Sequence, residues 1–355
     1  MNKHFSAYSN LKIFHQQEAI NNIKNGKHIA PIHVQIIPTN RCNQSCEGCA
    51  YRLDGYSSNK SFYQQDELSW EKLQEIVCDC KEMGVKAIQL TGGGEPTLHP
   101  KFLDLCSLIL GKGISLGVVT NGVKWSNDHS NVLSRCKWVR FSIDSGNKNT
   151  YASYRKASVE TFNLVRQNVR QLVSQNRPPD SIIGIGFVVN NQNWKEVIDA
   201  TKQAKEDGVD NFRISALFQN DGANYFNDFY TEAQTLCKEA ELLTTENFKV
   251  FNLFGDRISD LEIFNPDYSY CGMSKVSTYL GADQKAYSCC VNAYNQKGII
   301  GEFKTQTFKE MWNSAETKLK IANIDARNCS RCMYNTKNKT IIYAIDPNPL
   351  HTEFI

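Results

Sequence analysis

The 355-residue sequence has no apolar run approaching the ~20 residues needed to span a bilayer. Its N-terminus, MNKHFSAYSNLKIF, lacks a continuous apolar core followed by a small-residue cleavage site, so it does not read as a secretory signal. There is no dense Lys/Arg block, and a net charge of +3 is too small to argue for a nucleic-acid partner. Internal repeats and low-complexity segments are also missing. What remains has ordinary globular composition, 41% hydrophobic and 22% charged, and room for one large domain or two smaller ones. Thirteen cysteines without a secretory signal point to a reducing, cytoplasmic compartment. There, thiols bind metal or do chemistry more often than they pair as disulfides.

Three of those cysteines, Cys42, Cys46 and Cys49, fall within eight residues, in TNRCNQSCEGCA. They follow a short apolar run, residues 33–38, that reads as a strand, so they occupy the loop at its C-terminal end. Thiolates at C-x3-C-x2-C spacing can reach three corners of one compact cluster. Iron–sulfur clusters normally take four cysteines, so three in one loop suggest an iron left open to another ligand. Structural zinc competes, but it usually pairs C-x2-C with a second pair, and none lies nearby.

The rest of the chain alternates strand and helix. Residues 1–31 read as a short helical lead-in. Strand-like runs follow at 34–37, 87–90, 115–120, 138–143, 182–189 and 212–217. Helical stretches lie at about 68–77, 101–110, 161–174, 193–207 and 231–242. Ser69 is a candidate cap, and Gly84, Gly111 and Gly208 stand where helices should stop. Such alternation means a parallel α/β sheet spanning 32–250. The periodicity allows either a partial barrel or an open doubly wound sheet.

Strand ends carry polar residues and glycines. The second ends in Thr91, Gly92, Gly93, Gly94 and Glu95, a run that lets backbone approach a ligand and offers a carboxylate to an ammonium group. The third ends in Thr120-Asn121-Gly122. Ser142 and Asp144 share a face at the end of the fourth. Phe187 and Val188, on the fifth, could pack on an aromatic ligand or in the core. Arg213, near the end of the sixth, is a weaker candidate.

After about Phe251 the rhythm stops and cysteines return: Cys271, Cys289, Cys290, Cys329 and Cys332. Residues 278–288 read as a hairpin turning near Asp283-Gln284, which brings its flanking cysteines together. Cys329 and Cys332 add a second pair, so 251–355 can close a four-thiolate site, for zinc or for iron–sulfur. Cys78, Cys80, Cys106, Cys136 and Cys237 read as core. The tail, ending near Pro347 and His351, is placed by nothing in the sequence; folding back over a barrel mouth is one option.

C-x3-C-x2-C after a first strand resembles the cluster loop of the radical S-adenosylmethionine (SAM) superfamily. Gly48 departs from it, standing where relatives often carry an aromatic residue. The resemblance implies a partial (βα)6 barrel and a [4Fe-4S] cluster at Cys42, Cys46 and Cys49, its open iron chelated by SAM. It also implies SAM contacts from Gly92 to Glu95, Thr120, Asn121, Ser142, Asp144, Arg155, Phe187 and Val188. C-x17-C, a helix with Trp312, then C-x2-C is similar to SPASM/twitch auxiliary-cluster domains, implying one auxiliary [4Fe-4S] cluster at Cys271, Cys289, Cys329 and Cys332. Cys290 could replace Cys289 or return a hydrogen atom to a substrate radical.

The implied activity is SAM cleavage to a 5′-deoxyadenosyl radical that abstracts hydrogen from substrate, giving oxidation or epimerisation, with a flavodoxin or ferredoxin as reductant. Relatives that modify peptides often use an N-terminal peptide-binding domain, and about 30 residues precede the first strand here. That favours a small polar substrate (a sugar, aminocyclitol or nucleotide sugar) over a ribosomally made peptide. Two structural metal sites in a non-enzymatic protein form the remaining alternative.

Overall fold

The computed structural model describes residues 7–51 and 61–353; residues 1–6 of the expected lead-in and 354–355 of the tail lie outside the described residues. Seven strands pair side by side in chain order: β1 (His33–Ile36), β2 (Ala87–Leu90), β3 (Ser115–Thr120), β4 (Trp138–Ser142), β5 (Ile182–Val189), β6 (Asn211–Ala216) and β7 (Lys249–Leu253). Every pair is parallel. Parallel neighbours need crossovers, supplied by helices such as Trp70–Met83, Phe102–Gly111, Val159–Val173, Val197–Glu206 and Tyr230–Glu241. A doubly wound sheet reverses its strand order at a switch point. This one never reverses, which is the winding of a barrel wall.

The six expected units are therefore present, and a seventh extends them. The boundary expected near 251 runs through β7, after which the helix Phe254–Glu262 follows. Lys249-Val-Phe-Asn-Leu mixes polar and apolar residues, so no continuous apolar run marks it as a strand. Its backbone is nevertheless paired along β6.

Local signals place the helices. Ser69 caps Trp70–Met83 by accepting from the Lys72 amide, and Gly84 closes it at φ 79°. Gly111 is still helical; the left-handed turn comes at Gly113, φ 71°.

The C-terminal part does not form a sheet of its own. β8 (Ser277–Leu280) adds to the free edge of β1, parallel to it. β9 (Lys285–Tyr287) and β10 (Ile299–Glu302) follow antiparallel, making one ten-stranded sheet. The hairpin turn passes through Gln284 at φ 61°.

Strand direction fixes where the thiols go. The Cys42–Cys49 loop follows β1, at the carboxyl ends of the parallel strands. Cys271 precedes β8 and therefore lies at the opposite end. β9 runs back, returning Cys289 and Cys290 to that same end. A strand length, roughly 15 Å at ~3.3 Å per residue, separates the two groups.

The helical part of the tail lies away from the mouth. Its helix Asn335–Ile345 packs on the lead-in, where Ile13 and Ile20 share one apolar cluster with Met273, Val276, Ile341, Ala344 and Ile345. Each element has an apolar face too small to bury alone, and each covers the other at the strand-start end.

Candidate functional site

A cavity of about 370 Å³ runs inward from the carboxyl ends of the strands. Cys42, Cys46, Cys49, Gly92, Gly93, Gly94, Glu95, Thr120, Asn121, Ser142, Asp144, Arg155 and Val188 all line it. Arg213, Ser215, Arg257 and Met333 line it too.

The cysteine loop is hung from the segment that follows β4. The Ser45 amide donates to the Arg155 carbonyl at 3.2 Å, and the Glu47 amide to that of Tyr154 at 3.0 Å. The Arg155 side chain then reaches the loop itself. Its Nη1 donates to Cys46 Sγ at 3.3 Å and its Nη2 to the Ser142 carbonyl at 2.7 Å. Nη2 also pairs with Asp144 at 2.5 Å, both side chains being less than 10% exposed. Burial works against the Arg155 charge, but Asp144 and Cys46 outweigh it and hold the guanidinium above its ordinary range. Asp144 lies just past β4, at φ 54°, where Asp is better tolerated than most residues. Its other oxygen accepts from the Val188 amide at 2.7 Å. One ion pair thus ties β4, β5 and the cysteine loop together.

Glu95 is not the exposed carboxylate expected from the glycine run. It is buried, and Oε1 accepts from the Thr97 amide, the Thr97 hydroxyl and the Thr120 hydroxyl. Oε2 accepts from the Asn121 amide at 2.6 Å. Burial raises its pKa, against those four donors. Thr120 and Asn121 are thereby partly spent on Glu95 and on the turn, since Asn121 Oδ1 also accepts from the Val123 amide. The glycines serve loop packing as well as approach: a Cβ at Gly94 would come within 2.1 Å of the Arg41 carbonyl oxygen.

Phe187 does not reach the cavity. It is 1% exposed and packs on Phe212, with ring centroids 5.7 Å apart. Side chains alternate along a strand, so Val188 faces inward and its neighbour must face the helices. The departure at Gly48 has a structural counterpart that sequence reading missed. A Cβ there would meet the Tyr154 hydroxyl at 2.0 Å, so Tyr154 fills the space a larger side chain at 48 would need. Arg257 and Met333 were also missed, because both come from segments remote in sequence and carry no motif.

The second group of thiols is as specific. Cys271, Cys289, Cys329 and Cys332 line a void of about 30 Å³, flanked by Tyr334 and Asn338. Cys290 is absent from that lining and from the lining of the larger cavity. Its sulfur instead lies 3.4 Å from Met333 Sδ and 3.0 Å from the Tyr334 hydroxyl. Cys289 is extended, at φ −166°, whereas Cys290 opens the 3-10 turn Cys290–Asn292, so the backbone changes direction between the two thiols. Burial pushes the Cys289 thiol well up and that of Cys332 up to about 11, so a positive centre is needed to hold either as thiolate at neutral pH. Among the described residues no three His, Cys, Asp or Glu side chains converge tightly enough for a single ion. Thiols spread around a void suit a multi-iron cluster better than zinc.

The first site fits SAM on similar grounds. The buried Arg155 Nε has no partner, and Glu95 Oε2 takes one described donor, so a donor and an acceptor remain for a zwitterion beside three thiols. No helix among the described residues is long and apolar enough to cross a membrane.

Comparison with known proteins agrees with this geometry. The chain is 27% identical over 188 residues to the tungsten-containing aldehyde ferredoxin oxidoreductase cofactor-modifying protein of Pyrococcus furiosus, covering 50% of this chain and 49% of that one. It is 26% identical over 270 residues to the sporulation killing factor maturation protein SkfB of Bacillus subtilis, covering 73% and 60%. The chain thus spans about half the length of these relatives. Its fold matches that of Streptococcus suis SuiB bound to precursor peptide SuiA with a TM-score of 0.60 at 13% identity, covering 86% and 70%. Residues 36–204 match the radical SAM superfamily, which uses SAM and a [4Fe-4S] cluster, and residues 271–333 match the SPASM iron–sulfur cluster-binding domain. The chain belongs to the radical SAM superfamily and carries a C-terminal SPASM domain.

Proposed function

We propose that this protein modifies a peptide by radical chemistry. Similarity to SkfB across 73% of the chain carries this reading, since it reaches well beyond the cluster loop. The fold shared with SuiB, solved with its precursor peptide, is consistent with it. This replaces the expectation of a small polar substrate, which rested on the length of chain ahead of β1.

In this reading Cys42, Cys46 and Cys49 hold the first cluster, and Cys271, Cys289, Cys329 and Cys332 hold one auxiliary cluster. Residues 32–253 act as the SAM-binding core and the segment from about 271 as the auxiliary unit. Bound at the first site, SAM and its reduced cluster supply a primary alkyl radical able to take hydrogen from a substrate. The chain's own residues then do the positioning. Arg155 orients the cysteine loop through Cys46, Glu95 and the Gly92–Gly94 backbone face the cofactor's ammonium group, and Val188 packs on its adenine. Such a radical is unselective, so the walls of the cavity decide which C–H bond it meets. Oxidation is favoured over epimerisation, because Cys290, the thiol that would return hydrogen, does not line the cavity. A flavodoxin or ferredoxin is the proposed reductant.

The test incubates the anaerobically reconstituted enzyme with SAM, reductant and short peptides encoded beside its gene, followed by mass spectrometry. A peptide product formed with stoichiometric 5′-deoxyadenosine supports the reading. SAM cleavage accelerated by a small metabolite, with every peptide left unchanged, overturns it.

A further inference from the structure

One wall of the cavity carries positive charge that the described residues do not balance. Arg213, on β6, lines it with no hydrogen bond or ion pair among the described residues. Its Nε is buried without a partner, and its guanidinium rests over the Tyr8 ring, 5.5 Å from the centroid. Arg257, on the helix after β7, lines the same cavity and lies over the Phe218 ring, 5.4 Å from its centroid. It is held by Asp260 at 3.1 Å and by the Met333 carbonyl at 2.7 Å. Behind them Lys337 lies over the Tyr334 ring, with Lys12 close by, and burial together with Lys12, Arg213 and Arg257 pushes the Lys337 pKa down. Arg140, on β4, adds to the field at Arg213. Among the described residues, the carboxylates near this group are Asp144, paired with Arg155 while also in the field of Arg140 and Arg213, Asp260, paired with Arg257, and the exposed Asp256 beside it. Burying like charges without counter-charge is unfavourable, so such a cluster is retained only where something else supplies the anion.

We propose that this wall of the cavity is an oxyanion subsite, which receives a carboxylate or phosphate of the substrate between Arg213 and Arg257. The guanidinium fork suits a planar or tetrahedral oxyanion. The arginines line the same cavity as Cys42, Cys46 and Cys49, so an anchored substrate would share that space with the first cluster. In a peptide, the anchoring group would be the C-terminal carboxylate or an acidic side chain. Only that identification rests on the peptide reading.

The reconstituted, SAM-loaded protein would be titrated at constant ionic strength with four probes: an acetyl-capped tripeptide acid, its C-terminal amide, acetate and inorganic phosphate. Thermal stability is the readout. Saturable stabilisation by the acid but not the amide supports the subsite and the peptide source together. Stabilisation by acetate or phosphate alone supports the subsite and counts against the peptide reading. In either case Arg213→Met should weaken the effect at least tenfold, Arg213→Lys less so. Without anion, the Arg213→Met protein should melt no lower than the parent, because it loses an unpaired buried charge; an arginine that merely held the barrel together would lower it. Equal response of parent and Arg213→Met to every probe, or no saturable response in the parent, would overturn the subsite. So would loss of SAM affinity in Arg213→Met, which would assign the arginine to the cofactor's own carboxylate.

Discussion

At the residue scale, Arg155 concentrates the site's organisation. It touches the cysteine loop, the end of β4 and the Asp144 carboxylate that holds β5. Removing one partner of a buried ion pair leaves the other uncompensated, at a cost of about 3–5 kcal/mol. Arg155→Met should therefore lower urea stability by about that much, and a loss below ~1 kcal/mol would contradict the pairing described. Asp260 gives a pH signature. Burial pushes it up to about 6, with Arg257 pulling down and Asp256 adding to the rise. Its folded value lies above its unfolded one, so its contribution to stability is complete below pH ~4 and lost as pH rises through about 6. Between pH 4 and 7, Asp260→Asn should gain on the parent by on the order of 2 kcal/mol, read from urea denaturation at stepped pH. A constant difference would show that Asp260 titrates normally. Residue identities at the site were largely legible, because cysteine spacing and a Gly-Gly-Gly-Glu run are rare combinations. Orientation was less so. Phe187 and Val188 differ by one position on a strand, and only pairing to β4 and β6 decides which faces inward.

At the element scale, the glycine run after β2 and the cysteine loop after β1 are two halves of one packing contact. The would-be Cβ of Gly94 sits 2.1 Å from the Arg41 carbonyl oxygen and 2.4 Å from the Asn40 carbonyl carbon. Both are backbone atoms that cannot swing aside. Gly94→Ala should therefore fold, by circular dichroism, yet assemble only the auxiliary cluster, losing about half of its iron. Gly111→Ala is the contrast: nothing lies within 4 Å, and the helix should gain up to ~1 kcal/mol. Full iron loading in Gly94→Ala would mean that the loop tolerates displacement. The strands β1 to β6 were legible because each is a short apolar run bounded by polar residues and glycine. β7 was not, since Asn252 breaks its apolar character and edge pairing to β6 stabilises it instead.

At the scale of the whole molecule, the decisive feature is that one sheet carries both thiol groups at its two ends, with the cavity inside it. Periodicity could not show this, because the register of β8 on β1 is a long-range pairing with no local signature. The same pairing explains why the C-terminal segment meets the cavity through Met333, next to Cys332, and why the tail helix covers the strand-start end. The central claim is that two separate sets of cysteines hold two clusters. Its most direct test is iron and acid-labile sulfide content, with electron paramagnetic resonance, on the anaerobically reconstituted parent and on Cys42→Ser, Cys289→Ser and Cys290→Ser. About eight irons per chain are predicted for the parent and for Cys290→Ser. Cys289→Ser should keep the SAM-sensitive signal and lose part or all of the second cluster, and Cys42→Ser should do the reverse. About four irons in the parent, zinc at the C-terminal thiols, or cluster loss in Cys290→Ser with full loading of Cys289→Ser would contradict the account.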